Sequence, residues 1–158
     1  MNIFVIDEDP KEAAKMLCDK HVVKMILETA QMLCTAASKL GYNPPYKATH
    51  KSHPCTIWVG ESLSNWNWLV EHGMSMCEEY TKRYGKVHKS QSVIEWCRDS
   101  GVSPKSDLGL TPFKLAMPEK YKCDDAVKSY RKYYQGEKSR FAKWSKTPEP
   151  EWWSNDEV

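Results

Sequence analysis

The chain has 158 residues, 41% of them hydrophobic, 28% charged, and a formal net charge of +2. That length suits one domain with a real core, spanning residues 1–158. No run of eighteen or more apolar residues is present, which excludes a membrane-spanning helix.

The opening MNIFVIDEDPKE turns acidic at once and has no basic region. It does not read as a secretory signal, so a cytoplasmic location is the expectation. Its apolar run NIFVI reads as a short extended segment buried beside the first helix. Asp9, Pro10 and Glu12 then form a helix start: a cap, a first-turn proline and a capping-box spacing. The helix is expected to run to about Lys39, with a break near Cys18 and Asp19, and to stop at Gly41. YNPPYKATHKSHP is a loop, because paired prolines cannot continue a helix. Pro54 opens a second, long helix. Ile57, Trp58, Leu63, Trp66, Leu69, Val70, Met74 and Cys77 recur in it at threes and fours, and Gly85 ends it. SVIEWCRDS is a third helix ending at Gly101. A proline-punctuated loop follows. A last helix starts near Asp124 and Asp125, whose charges suit a helix N-terminus, and runs to about Trp144, with Gly136 as its weak point. Strand patterning is nearly absent. The expected fold is all-α: a compact, single-domain helical bundle with long loops, a short extended N-terminal segment and an acidic tail at residues 154–158 that need not order.

The first helix carries a polar stripe, His21, Lys24, Glu28 and Gln31, spaced three, four and three. At about 100° per residue these side chains share one face. The rest of the helix is apolar on most sides, as buried helices are. A solvated face is the commoner origin of such a stripe. Here the stripe is narrow and the apolar arc wide, which favours a cleft. A cleft that gathers a carboxylate, an amine and an imidazole suits acid/base or imine chemistry.

Basic residues cluster in TKRYGKVHKS and KSYRKYYQGEKSRFAKWSK, the second interleaved with aromatics, and the chain has seven tryptophans. Cations neutralise phosphates and flat rings stack on bases. The residues expected to meet DNA are Gln31, His50, Lys51, His53, Arg83, Lys86, Lys89, Arg131, Lys132, Trp144 and Trp152. The competing reading of the aromatic stretch is an amphipathic helix whose rings face the core. The six cysteines lack CxxC spacing and read as reduced, mostly buried thiols. A zinc alternative rests on Cys18, His21, His50, His53 and Cys55. There is no GxxxxGK[ST], GxGxxG, HExxH or GxSxG motif, so nucleotide-hydrolase, dehydrogenase, zincin and serine-elbow chemistry lack support.

The order of these features resembles the phage-type pyrimidine-dimer DNA glycosylase/AP lyase family, the endonuclease V type of T-even phages. Cys18-Asp19-Lys20-His21 followed by Glu28 matches that family's helix start and its glutamate seven residues after the histidine. Lys51-Ser52-His53-Pro54-Cys55-Thr56 stands where the family has Lys-x-Ser-Pro-Thr, and Pro150-Glu151-Trp152-Trp153 resembles its aromatic tail. The resemblance implies an all-α DNA glycosylase in which the N-terminal α-amine attacks C1′ and the resulting imine supports strand cleavage. It further implies that Glu28 assists the sugar chemistry and that His21 lies in the same cleft. Two positions depart from the family. Asn2 replaces the threonine exposed by methionine removal, so the amine belongs to Met1 or to Asn2. Leu27 and Gln31 replace basic neighbours of the glutamate.

The chemistry also stands without the family. Breaking an N-glycosidic bond builds positive charge on the sugar, which a carboxylate stabilises. A terminal α-amine, with an ordinary pKa near 8, becomes neutral more easily than Lys24, the alternative nucleophile. The expected function is a DNA glycosylase, with AP-lyase activity, acting on a damaged or modified pyrimidine in double-stranded DNA. It is expected to be monomeric and to need no metal or cofactor. The alternatives are a non-catalytic DNA-binding or inhibitory protein and the zinc-stabilised enzyme.

Overall fold

The computed structural model describes residues 1–154. From residue 155 onward the expected acidic tail lies outside the described residues. Six α-helices follow in order: α1 (Pro10–Met16), α2 (Asp19–Lys39), α3 (Pro54–Glu61), α4 (Leu63–Tyr84), α5 (Gln91–Asp99) and α6 (Ala126–Glu137). Single 3-10 turns lie at Glu119–Tyr121 and Glu151–Ser154. No strand occurs among the described residues, as the all-α expectation requires. None of the helices is long and apolar enough to cross a membrane.

Helix α2 is the centre of the bundle. It packs on α3, α4 and α5, and α1 packs on α4. Ile26, Leu33, Trp66, Leu69, Met76 and Ile94 fill the interface and are almost entirely buried. Gly73 lets α4 approach α2 and α5 closely. A methyl group there would stand 3.0 Å from Thr29 Cγ2 and 3.2 Å from Ile94 Cδ1. All six cysteines are free thiols, five of them buried.

The local signals near helix ends act as expected. Asp9 caps α1 by accepting from the Lys11 N–H at 2.9 Å. Asp125 caps α6 by accepting from the Lys128 N–H at 3.0 Å. Gly85 ends α4 in the left-handed region.

The break expected near Cys18 and Asp19 is present: the first helix is two helices, because Leu17 and Cys18 are extended. The break is stabilised from outside: Arg83 donates to the carbonyls of Lys15 and Leu17, and the Tyr134 hydroxyl accepts from the Cys18 N–H. Three other expectations are corrected. The second helix is also broken, at the fully buried Ser62. Its hydroxyl binds Asp107 Oδ1 at 2.9 Å and the Gly109 carbonyl at 2.8 Å, drawing the 106–111 loop into the gap. The last helix ends at Glu137 rather than near Trp144. The chain after it folds back, so that Lys143 O accepts from Asp19 N and Asp19 Oδ2 accepts from Ser145 N. Gly136, expected to be a weak point, is a close approach: a side chain there would overlap the Tyr121 ring.

Residues 2–6 are buried without forming a strand. Phe4 has φ +57°, a left-handed conformation that an aromatic residue rarely adopts. The Asn2 side chain builds the turn. Its carbonyl accepts from the Ile3 N–H at 2.7 Å and the Phe4 N–H at 3.3 Å, while its amide donates to the Ala116 carbonyl at 2.8 Å.

Arg83 is the main ionic fixture of the interior. Its side chain pairs with Glu79 at 3.1 Å and Asp19 at 3.2 Å. Truncation would leave the buried Glu79 carboxylate unpaired. Arg83→Ala is therefore expected to lower the unfolding free energy by about 3–5 kcal/mol in urea denaturation, and a loss below about 1 kcal/mol would contradict this role.

Two buried histidines predict an acid-labile fold. Burial is the largest cause for each: it holds His72 down to about 4, and, with Lys138, Lys24 and Lys20 adding to it, His21 down to about 3. The ordinary value is 6.5. As pH falls below 6.5 the unfolded chain gains protons that the folded chain refuses, so stability is full above 6.5 and is lost toward 3–4. Each histidine adds up to about 1.4 kcal/mol per pH unit in that window. Denaturant midpoints measured between about pH 6.5 and 4.5 should fall less steeply for His72→Gln than for wild type; parallel slopes would refute the assignment.

Candidate active site

The stripe on α2 lies where the N-terminal turn arrives. Glu28 Oε1 stands 3.2 Å from the Met1 nitrogen and 3.2 Å from the Asn2 backbone N–H. Two consecutive backbone nitrogens thus face one carboxylate oxygen. Glu28 Oε2 lies 3.9 Å from the Lys24 ammonium. The Glu28 side chain is 12% exposed and that of Lys24 65%, so the carboxylate is recessed and the lysine reaches in from the rim. These groups open onto a cavity of about 160 Å³, which His21, Phe4, Tyr133 and Lys138 also line.

His21 is fixed on all sides. Its Nδ1 lies 2.7 Å from the Tyr134 hydroxyl, its ring stacks on Phe4 with centroids 4.5 Å apart, and the Phe141 ring stands edge-on at 5.5 Å. With its pKa held down to about 3, chiefly by burial, the imidazole is neutral at physiological pH. Burial holds the Tyr134 hydroxyl well above its ordinary value, so it stays protonated. His21, with Tyr134 bonded behind it, forms an uncharged wall beside the carboxylate.

Lys138 was one of seven cations in the basic-aromatic stretch, and nothing in the sequence set it apart. The structure puts its ammonium 4.9 Å from the Tyr133 ring centroid and 5.6 Å from that of Phe4, at the cavity mouth. Burial, followed by Arg140, lowers its pKa. It forms no ion pair with a described carboxylate. Phe4 was missed, because only the left-handed turn brings it here; Tyr133 stood among the aromatics of the basic stretch, and the fold of α6 sets it at the cavity.

The other expected residues divide by location. Gln31 lies one turn beyond Glu28 on α2, facing a second concavity of about 330 Å³ under the 45–49 loop. His50 and Lys51 are exposed on the loop before α3. His53 caps α3, its Nδ1 accepting from the Cys55 N–H at 3.1 Å. Burial lowers the His53 pKa, and the Met1 amine and His50 add to the effect. Lys86 and Lys89 are exposed after α4, in a segment that His88 ties to α2 through the Val23 carbonyl at 2.9 Å. Lys132 is half-buried on α6.

Four of the residues expected to meet DNA are engaged within the protein, and two of them, Arg83 and Trp152, are corrected by their burial. Arg83 is enclosed by α1, α2 and α4. Arg131 donates to the Ile6 carbonyl, pairs with Asp7 at 3.4 Å and stacks over Trp152. Trp144 donates to the Met16 carbonyl at 2.9 Å. Trp152 is buried against Tyr134 and Met16. These groups close the junction between α1, α2 and α6. The zinc alternative is corrected too: no three His, Cys, Asp or Glu side chains among the described residues are grouped to hold a metal ion.

A carboxylate touching an amine, beside a neutral imidazole and under a cationic rim, suits a substrate that is anionic outside and becomes cationic at its reacting carbon. No curated protein and no solved structure matches the chain. The family model described as pyrimidine dimer DNA glycosylase matches residues 1–92, which include Met1, Asn2, His21, Lys24 and Glu28. The chain belongs to the pyrimidine dimer DNA glycosylase family.

Proposed function

We propose that the chain is a DNA glycosylase that releases a damaged or modified pyrimidine through an amine held on Glu28, with AP-lyase cleavage following from the imine. The observation that carries this reading is the 3.2 Å approach of the Met1 nitrogen to Glu28 Oε1 at the cavity wall. Glu28 takes a proton from the amine, which then attacks C1′. The C1′–N bond breaks and the base leaves with the electron pair; Glu28 passes its proton to the departing base, and the carboxylate so restored stabilises the positive charge on the sugar. Opening of the sugar ring leaves an imine. Loss of a C2′ proton from the imine expels the 3′ phosphate.

The Asn2 nitrogen stands on the same oxygen, so an amine exposed by loss of Met1 would start from the same carboxylate. Lys24 is the weaker candidate for nucleophile, being more distant and mostly solvated. Its role in this reading is to meet a phosphate beside the target sugar, together with Lys138. His50, Lys51, Lys86, Lys89 and Lys132 supply further backbone contacts, and His21 positions Phe4 and the N-terminal turn.

The test uses duplexes with ultraviolet-induced or hypermodified pyrimidines, borohydride trapping and mass spectrometry of the trapped peptide. The expected adduct lies on the N-terminal peptide. Glu28→Gln is expected to cut base release about 100-fold or more while leaving duplex affinity within several-fold. Base release at the wild-type rate in Glu28→Gln would sink the mechanism.

A further inference from the structure

We propose that the concavity beside Gln31 receives the target pyrimidine and that the Gln31 amide reads its edge. The proposal rests on the glycosylase reading above and extends it from the sugar to the base.

The cavity at Glu28 is small, about 160 Å³, and is bounded by the N-terminal turn and α6. A sugar seated there needs a separate place for its base. The neighbouring concavity offers about 330 Å³ between Leu27 and Gln31 on one side and Pro45, Tyr46 and Lys47 on the other. Gln31 follows Glu28 by three residues, a rise of about 4.5 Å along the helix. That is the scale of one pyrimidine ring.

The pocket is preformed. Thr35 Oγ1 accepts from the Thr49 N–H and donates to the Thr49 carbonyl, each at 3.0 Å, pinning the loop to α2. The Tyr46 hydroxyl lies 2.9 Å from Ser90 Oγ, which fixes the opposite wall to α5. The apolar part of the floor on α2 is Leu27, 41% exposed. An exposed leucine and a tyrosine ring on opposite sides give a base two faces to pack against. Gln31 forms no hydrogen bond with another described residue. Its amide offers a donor and an acceptor side by side, the complement of a pyrimidine's 3,4-edge. The room beyond the ring accommodates a 5-substituent.

The probe is a duplex carrying one pyrrolocytosine, a fluorescent pyrimidine that is quenched by stacking and brightens when extruded. Wild-type protein is expected to brighten it. Gln31→Leu and Tyr46→Ala are expected to cut the rise about fivefold or more while duplex affinity changes less than about threefold, because phosphate contacts carry most of the affinity. Base release is then compared for 5-hydroxymethyluracil and its N3-methyl analogue. Methylation should slow wild type about tenfold or more and slow Gln31→Leu far less, since the reading group is already gone.

Binding by wild type without brightening, or brightening that Gln31→Leu leaves intact, overturns the pocket. Base release with an equal methylation penalty in wild type and Gln31→Leu overturns it as well, while the glycosylase reading stands. Brightening that depends on Gln31, with no base released from any substrate, supports the pocket and removes the glycosylase reading instead.

Discussion

The site depends on one backbone turn. Phe4 adopts a left-handed conformation that costs on the order of 1–3 kcal/mol. The surroundings offset that cost: the Phe4 ring is buried against His21, Tyr130 and Tyr134, and Asn2 closes the turn through both its carbonyl and its amide. The return is geometric. Without the turn, the apolar run Ile3–Ile6 would carry the terminus past α2, and Glu28 would face the cavity alone. With it, the first two backbone nitrogens converge on a single carboxylate oxygen.

The turn in turn depends on parts of the chain beyond residue 92, where the family match ends. The Tyr130 hydroxyl accepts from the Ala116 N–H, which fixes the loop whose carbonyl receives Asn2. Tyr134 holds His21 and the extended Cys18 together, and Lys143 and Ser145 bind Asp19 at the head of α2. The family-matching half brings Met1, Asn2, Lys24 and Glu28. The remainder sets the angle at which α2 presents them and supplies one wall of the cavity.

Much of this arrangement was legible in the sequence where the signal is local. The stripe on α2 is a matter of helical period, and Asp9, Gly85 and Asp125 act within one turn of their own position. What escaped was set by long-range contacts. The break at Ser62 exists because Asp107 arrives from elsewhere in the chain to bind the freed groups. Lys138 and Lys132 belong to the same basic stretch, and only the fold-back after Glu137 determines which of them meets the cavity. Arg131, Trp144 and Trp152 have the composition of a nucleic-acid contact, yet each finds its partner inside the protein.

A DNA glycosylase faces two opposed electrostatic demands. The polyanion is attracted by positive charge, while the sugar becomes positive as the bond breaks and requires negative charge nearby. Distance and solvation separate the two here. Glu28 is recessed, where fewer waters weaken its field, and the His21 wall beside it, with Tyr134 behind, adds no charge of its own. Lys24 and Lys138 stand at the mouth, where solvent and salt screen them more than the recessed carboxylate. Protonation of His21 would set a cation against the developing one. The burial that keeps this ring neutral therefore also keeps the cavity free of a competing cation.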